Sequence, residues 1–221
     1  MAQYQKFSDT PGAPDVATRL DRFLAAILAQ WRTIAAIVVL LAVAGGGLAW
    51  RHAHQESFEM QASQAYFEAD QLKDAARTAA LVKVATAWAD STAGLMARFA
   101  LAQQALAVPD FPGARVHLEA ILQRPNLSPD IQASALFMKA ATFEQDSAWA
   151  EAAKLYEQIL ALIDPRVNYA RALHNAVRSW RRAGKIDDAK KLLAAPYPHI
   201  QHSEFTAARE DEQLWLTIVA H

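Results

Sequence analysis

The sequence predicts an all-α protein: a single N-terminal transmembrane helix, then an array of antiparallel helix pairs. Three observations carry this. An uncharged apolar run occupies residues 33–50. The rest is rich in Ala, Leu, Glu, Gln and Lys, broken by Pro and Gly. One pattern of small and large residues recurs at spacings of 38 and 37.

The apolar run, TIAAIVVLLAVAGGGLAW, comes first. In helical form its 18 residues reach about 27 Å, close to the roughly 30 Å of a hydrocarbon core. Phe23, Leu24, Ile27 and Leu28 extend it toward the N-terminus, so the span is placed at 23–51, after a cytoplasmic tail at 1–22 that carries Pro11, Gly12 and Pro14. Trp31 and Trp50 flank the run as an interfacial aromatic pair, and Arg32 and Arg51 reach outward from its ends. Arg19, Arg22 and Arg32 precede the run, whereas Arg51 alone follows before Lys73. The positive-inside bias then leaves the N-terminus in the cytoplasm and exports the C-terminal bulk. Ala42-Val43-Ala44 offers a signal-peptide cleavage site, but the apolar run continues past it to Trp50, which favours an uncleaved anchor. Gly45, Gly46 and Gly47 lower helix propensity. Ala42 and Gly46 form a small-xxx-small spacing that fits either a tolerated kink or close approach of another helix.

Composition narrows the function classes. The formal net charge is −1, and the segment beyond the anchor is near neutral, which does not suggest nucleic acid, and none is expected as a partner. There is no cysteine, hence no disulfide or thiolate metal site, and export to an oxidising compartment carries no redox consequence.

Beyond Arg51, breaks fall at Pro109–Gly113, Pro125 with Pro129, Pro165, Gly184, and Pro196 with Pro198. Between them apolar residues recur at helical spacing. A long helix over residues 55–89 is expected to continue from the anchor. Three later helices begin alike: PGARVHLEAIL at 112–122, AEAAKLYEQIL at 150–160 and IDDAKKLL at 186–193. Their alignment superposes Ala114, Ala152 and Ala189. Four residues later stand Leu118, Tyr156 and Leu193. Twelve earlier stand Ala102, Ala140 and Val177, and nine earlier Ala105, Phe143 and Trp180. Small residues let the two helices of a hairpin approach, and large ones fill the gap to the next hairpin. This is the logic of the tetratricopeptide unit of about 34 residues, here with longer loops. The repeat domain is placed at 52–200. A last helix over 204–220, after a Ser203 cap, is expected to close the array at 201–221 through Leu214, Leu216, Ile218 and Val219. The predicted fold is therefore a tetratricopeptide-like α-solenoid behind one membrane helix.

Two segments carry a family resemblance: GLAWRHAHQESFEMQASQAYFEA at 47–69 and STAGLMARFALAQQAL at 91–106. With the repeat, over residues 25–193, the chain resembles the ancillary SecYEG translocon subunits of the YfgM type. The resemblance implies a single-span bacterial inner-membrane protein whose repeat domain faces the periplasm, associated with the SecYEG translocon and with a membrane-anchored prolyl isomerase-like chaperone. A sister group uses the same domain in coordinating cell-envelope constriction. The segment from Pro196 departs from the pattern.

In such solenoids the first helix of each pair lines the concave face. The register places Met96, Phe99 and Gln103 there in the first unit. In the second it places Ser134, Phe137, Ala141 and Glu144, and in the third Arg171, His174, Arg178, Arg181 and Arg182. The third set shares one helix face, opposite Leu173, Ala176, Val177 and Trp180. Guanidinium groups bind carboxylates bidentately, so an acidic segment would fit this groove. Alternatively the face is a solvated charged surface, partly offset by Asp187, Asp188 and Glu144. Both readings stand at this level.

Nothing in the sequence promotes catalysis. His52 and His54 do not face one another, and His199 and His202 lack an acidic or thiol partner at ligand spacing. No nucleophile elbow, P-loop or dinucleotide glycine pattern occurs. No catalytic residue, metal, cofactor or small-molecule substrate is expected. The expectation is a non-catalytic membrane-anchored scaffold that binds partner proteins in export or envelope folding. The alternatives are a structural accessory subunit of a stable inner-membrane complex, with Gly46 and Trp50 against a neighbour, and a division coordinator.

Overall fold

The computed structural model describes residues 31–219, and among these the regular elements are nine helices and no strand. They are α1 (Trp31–Gln71), α2 (Asp74–Ala87), α3 (Thr92–Ala107), α4 (Phe111–Leu122), α5 (Pro129–Gln145), α6 (Trp149–Leu160), α7 (Tyr169–Arg182), α8 (Ile186–Ala194) and α9 (Ser203–Val219). The chain divides into two compact units, residues Met1–Ser57 and Phe58–His221.

In the first unit α1 carries the apolar run. Among the described residues this is the one helix long and apolar enough to cross a membrane, and none of its apolar window is buried. Val39, Leu40, Leu41 and Val43 are all well exposed. The helix passes through Gly45, Gly46 and Gly47 without interruption, and a Cβ at any of the three would meet nothing. Ala42 and Gly46 are exposed, as is Trp50, whose ring stacks on His54 one turn later. Trp31 is the first described residue of the helix. The tail at 1–22 and the residues up to 30 lie outside the described part.

In the second unit, α2 to α8 each pack chiefly on their neighbours in sequence, and α9 returns onto α7 and α8. Three cores result. The first joins Ala62 and Ala69 of α1 to Leu81 and Val84 of α2 and Ala97, Ala100 and Leu101 of α3. The second joins Leu95 and Ala102 to Leu118, Ile121 and Ala135. The third runs from Leu136 and Ala140 through Tyr156, Ile159, Leu173 and Val177 to Phe205 and Leu216. Helices α3 and α5 each serve two cores with different faces. Alanine is prominent in all three, because a methyl group lets backbones approach while still contributing to the dispersion-packed interior.

The positions aligned in the sequence are alike in burial and in one backbone hydrogen bond. Ala114, Ala152 and Ala189 are fully buried, and so are Ala102, Ala140 and Val177. At each turn into a second helix the same bond recurs: Asp110 N donates to Ala105 O at 2.8 Å, Ala148 N to Phe143 O at 2.8 Å, and Lys185 N to Trp180 O at 2.9 Å. This six-to-one closure satisfies a helix-end carbonyl and requires a left-handed residue just before the donor. Gly184 supplies it in the third turn (φ 72°), and Ser147 in the second (φ 58°). A Cβ in that region is disfavoured by about 1–2 kcal/mol. Ser147→Gly should therefore raise stability by roughly 0.5–1 kcal/mol, or about 2–3 °C in Tm. A thermal melt in which the variant is no more stable than the parent would contradict this.

One expectation is corrected. The helix expected over 55–89 is two helices, α1 and α2, broken at Leu72 and Lys73. A straight helix would leave Leu81 and Val84 in solvent. The break, with Asp74 at φ 50° and an Arg77–Asp70 ion pair at 2.6 Å across it, folds them onto Ala62 and Ala69. At the C-terminal end α9 starts at Ser203, and Leu216 is buried while Leu214 is 63% exposed. Phe205 of this helix is buried too, and the burial of Ile218 and Val219 lies outside what is described.

Candidate functional site

The residues expected on the concave face fall into two parts. On α3, Met96 and Gln103 are exposed, and Phe99 lies half-buried against the second core. They occupy one helix face at spacings of three and four. On α5, Phe137 packs against Tyr156, ring centroids 5.8 Å apart. Ser134 is exposed and turned onto its own helix, donating to Asp130 O at 2.9 Å.

The basic set on α7 is largely engaged by the chain itself. Leu173, Ala176, Val177 and Trp180 are buried, as the helical register requires, so the arginines project from the opposite side. The Arg178 guanidinium donates through Nη2 to both oxygens of Glu144, at 2.7 and 2.8 Å, and Ser179 Oγ donates to the same carboxylate at 3.1 Å. Glu144 also stands behind the raised pKa of the Tyr156 hydroxyl, for which burial is the larger cause. His174 Nδ1 lies 2.6 Å from Glu212 Oε1, and Arg181 Nη1 lies 4.0 Å from Glu212 Oε2. Arg181 is stacked on the Trp215 ring, and burial there lowers its pKa. Arg171 sits over Phe137 at 4.8 Å and Arg182 over Trp149 at 4.5 Å, both as cation–π pairs.

Glu212 and Trp215 were not singled out in the sequence, yet they decide how this face is used. Phe205, Glu212 and Leu216 lie at spacings of seven and four, so the carboxylate sits on the buried stripe of α9. A carboxylate on such a stripe must find a cation, and α7 is the arginine-rich helix beside it. That pairing was the available signal. His199 Nε2 is 2.8 Å from Leu160 O, and His202 stacks on Tyr169. Among the described residues no group of three His, Cys, Asp or Glu side chains could hold a metal ion.

Neither a protein-family model, nor a curated protein, nor a solved structure matches this chain.

A cleft of about 510 Å³ opens among His174, Arg178, Arg181, Arg182, Ile186 and Trp215. It presents donors and an aromatic wall, with no nucleophile beside a base.

Proposed function

We propose that the chain is a non-catalytic, membrane-anchored scaffold whose tetratricopeptide-like α-solenoid binds partner polypeptides outside the cytoplasm. The observation that carries this reading is α1. Its apolar run is wholly unburied, a state that water penalises at about 25 cal/mol per Å² and a bilayer rewards. The recurrence of one turn geometry at spacings of 38 and 37 supports the solenoid. Arg19, Arg22 and Arg32 before the run support export of the helical unit. The resemblance to YfgM-type subunits points to the bacterial inner membrane and periplasm, with the SecYEG translocon and a prolyl isomerase-like chaperone as partners.

Exposed Met96 and Gln103 on α3 are the reporters. With a photo-crosslinking side chain at either position in the membrane-resident protein, adducts to translocon or chaperone polypeptides are expected. None is expected from Lys83 on α2, which is exposed on the second helix of its pair. Absence of adducts from both α3 positions, or equal yield from Lys83, would refute the scaffold reading.

A further inference from the structure

We infer that the cleft between α7, the start of α8 and α9 receives an acidic segment of a partner polypeptide. The inference deepens the scaffold reading and rests on it. It begins from charge. His174, Arg178, Arg181 and Arg182 line the cleft together with Ile186 and Trp215, and no carboxylate lines it. Glu144 answers Arg178. Glu212 is shared by His174 and Arg181, and its Oε2 accepts no hydrogen bond. Arg171 and Arg182 are answered by aromatic rings alone. Among the described residues neither has a carboxylate oxygen within ion-pair distance. Two guanidinium charges are thus left over.

Arg171, Arg178 and Arg182 follow one another at spacings of seven and four, a single stripe along α7. Its ends lie about 16 Å apart at 1.5 Å per residue. An extended peptide covers that distance in about five residues. The fitting ligand is therefore an extended segment with carboxylates about five residues apart and an apolar side chain between them. One carboxylate meets Arg182 inside the cleft, beside the apolar wall of Trp215 and Ile186, 36% and 37% exposed; the other reaches Arg171, which lies outside the cleft lining, further along the same stripe of α7.

The molecule already shows this chemistry. The Glu212 carboxylate is seated against His174, and Trp215, three residues on, lies against Arg181. An acidic residue close to an aromatic one is what this face accepts from its own chain. A bare phosphate would satisfy the arginines and leave the Trp215–Ile186 wall in water.

The test uses the full chain in detergent micelles. The ligand is a fluorescein-labelled peptide with two Glu residues five apart flanking Leu. Binding is expected to weaken steeply as salt rises from about 50 to about 300 mM. Arg171→Gln with Arg182→Gln should weaken it at least about tenfold, and Lys at both positions should restore much of it. Lys190→Gln on α8 serves as the control and should change nothing. Melting curves close to the parent's keep the Gln variant informative. The proposal is overturned if the peptide with Gln in place of Glu binds equally, or if the arginine variant binds normally. It is also overturned if inorganic phosphate or phosphatidylglycerol vesicles occupy the same arginines in preference to the peptide. Crosslinks retained at Met96 and Gln103 with no peptide binding would remove this cleft and leave the scaffold standing. Loss of those crosslinks with peptide binding intact would do the reverse.

Discussion

Chains carrying arginine at Leu40 and Val43 should leave the membrane. Both residues are 70% exposed and bracket the middle of the apolar run. Arginine at the centre of a membrane helix costs about 2.5–3.5 kcal/mol, so the pair costs roughly 5–7 kcal/mol. That is enough to reverse insertion of a span whose uncharged run is only 18 residues long. The parent should stay in the pellet after an alkaline carbonate wash, and the double variant should move to the supernatant. Leu214→Arg provides the contrast. Leu214 is also an exposed apolar residue, 63% accessible, but it lies on α9, and its substitution should leave fractionation unchanged. A double variant that remains in the pellet would refute the membrane span.

Gly94→Ala should be the most damaging single-methyl change in the helical unit. A Cβ at this position would stand 2.0 Å from the Trp88 carbonyl oxygen and 2.8 Å from its carbon. Relief by a small shift is blocked on every side. Gly94 N donates to Ser91 Oγ at 2.9 Å, and Ser91 Oγ donates in turn to Trp88 O at 2.8 Å. Arg124 clamps the same loop, donating to Ser91 O at 3.0 Å and to Asp90 O at 2.7 Å. Ser91 itself is fully buried. Moving the loop breaks the cap and the clamp together, at about 2–4 kcal/mol. A fall in Tm of roughly 5–12 °C follows for a unit of this size. Gly46→Ala should cause no fall by the same measurement, since a Cβ there meets nothing and Ala favours the helix. A Gly94→Ala protein that melts with the parent would show that the close approach is not maintained in solution.

The parts of this fold that were legible in the sequence are those set by local periodicity. Ala114, Ala152 and Ala189 lie in the core because a 37–38-residue spacing placed them on equivalent helix faces. Leu173, Ala176, Val177 and Trp180 lie there because they share the face opposite the arginines. The break after Gln71 was not legible. No Pro or Gly marks it, and it exists because Leu81 and Val84 have to reach Ala62 and Ala69, a demand of tertiary packing. Nor was the fate of the α7 arginines. The spacing showed that they share a face but not what covers it, and Glu212 lies 38 residues from His174 in the chain. The face read as either a groove or a solvated charged surface is partly covered by α9, and of the described α7 arginines Arg171 and Arg182 keep charge to spare.

The order of the cores along the chain sets a timetable for synthesis. The first is complete once α3 exists, the second once the start of α5 exists, and the third closes with α9. No core joins the first helices to the last, so the loops to be closed stay short and the search for partners is brief. A helical unit made from α2 onward hides its apolar surface in instalments as synthesis proceeds. It would spend little time as the kind of exposed polypeptide that it is proposed to receive.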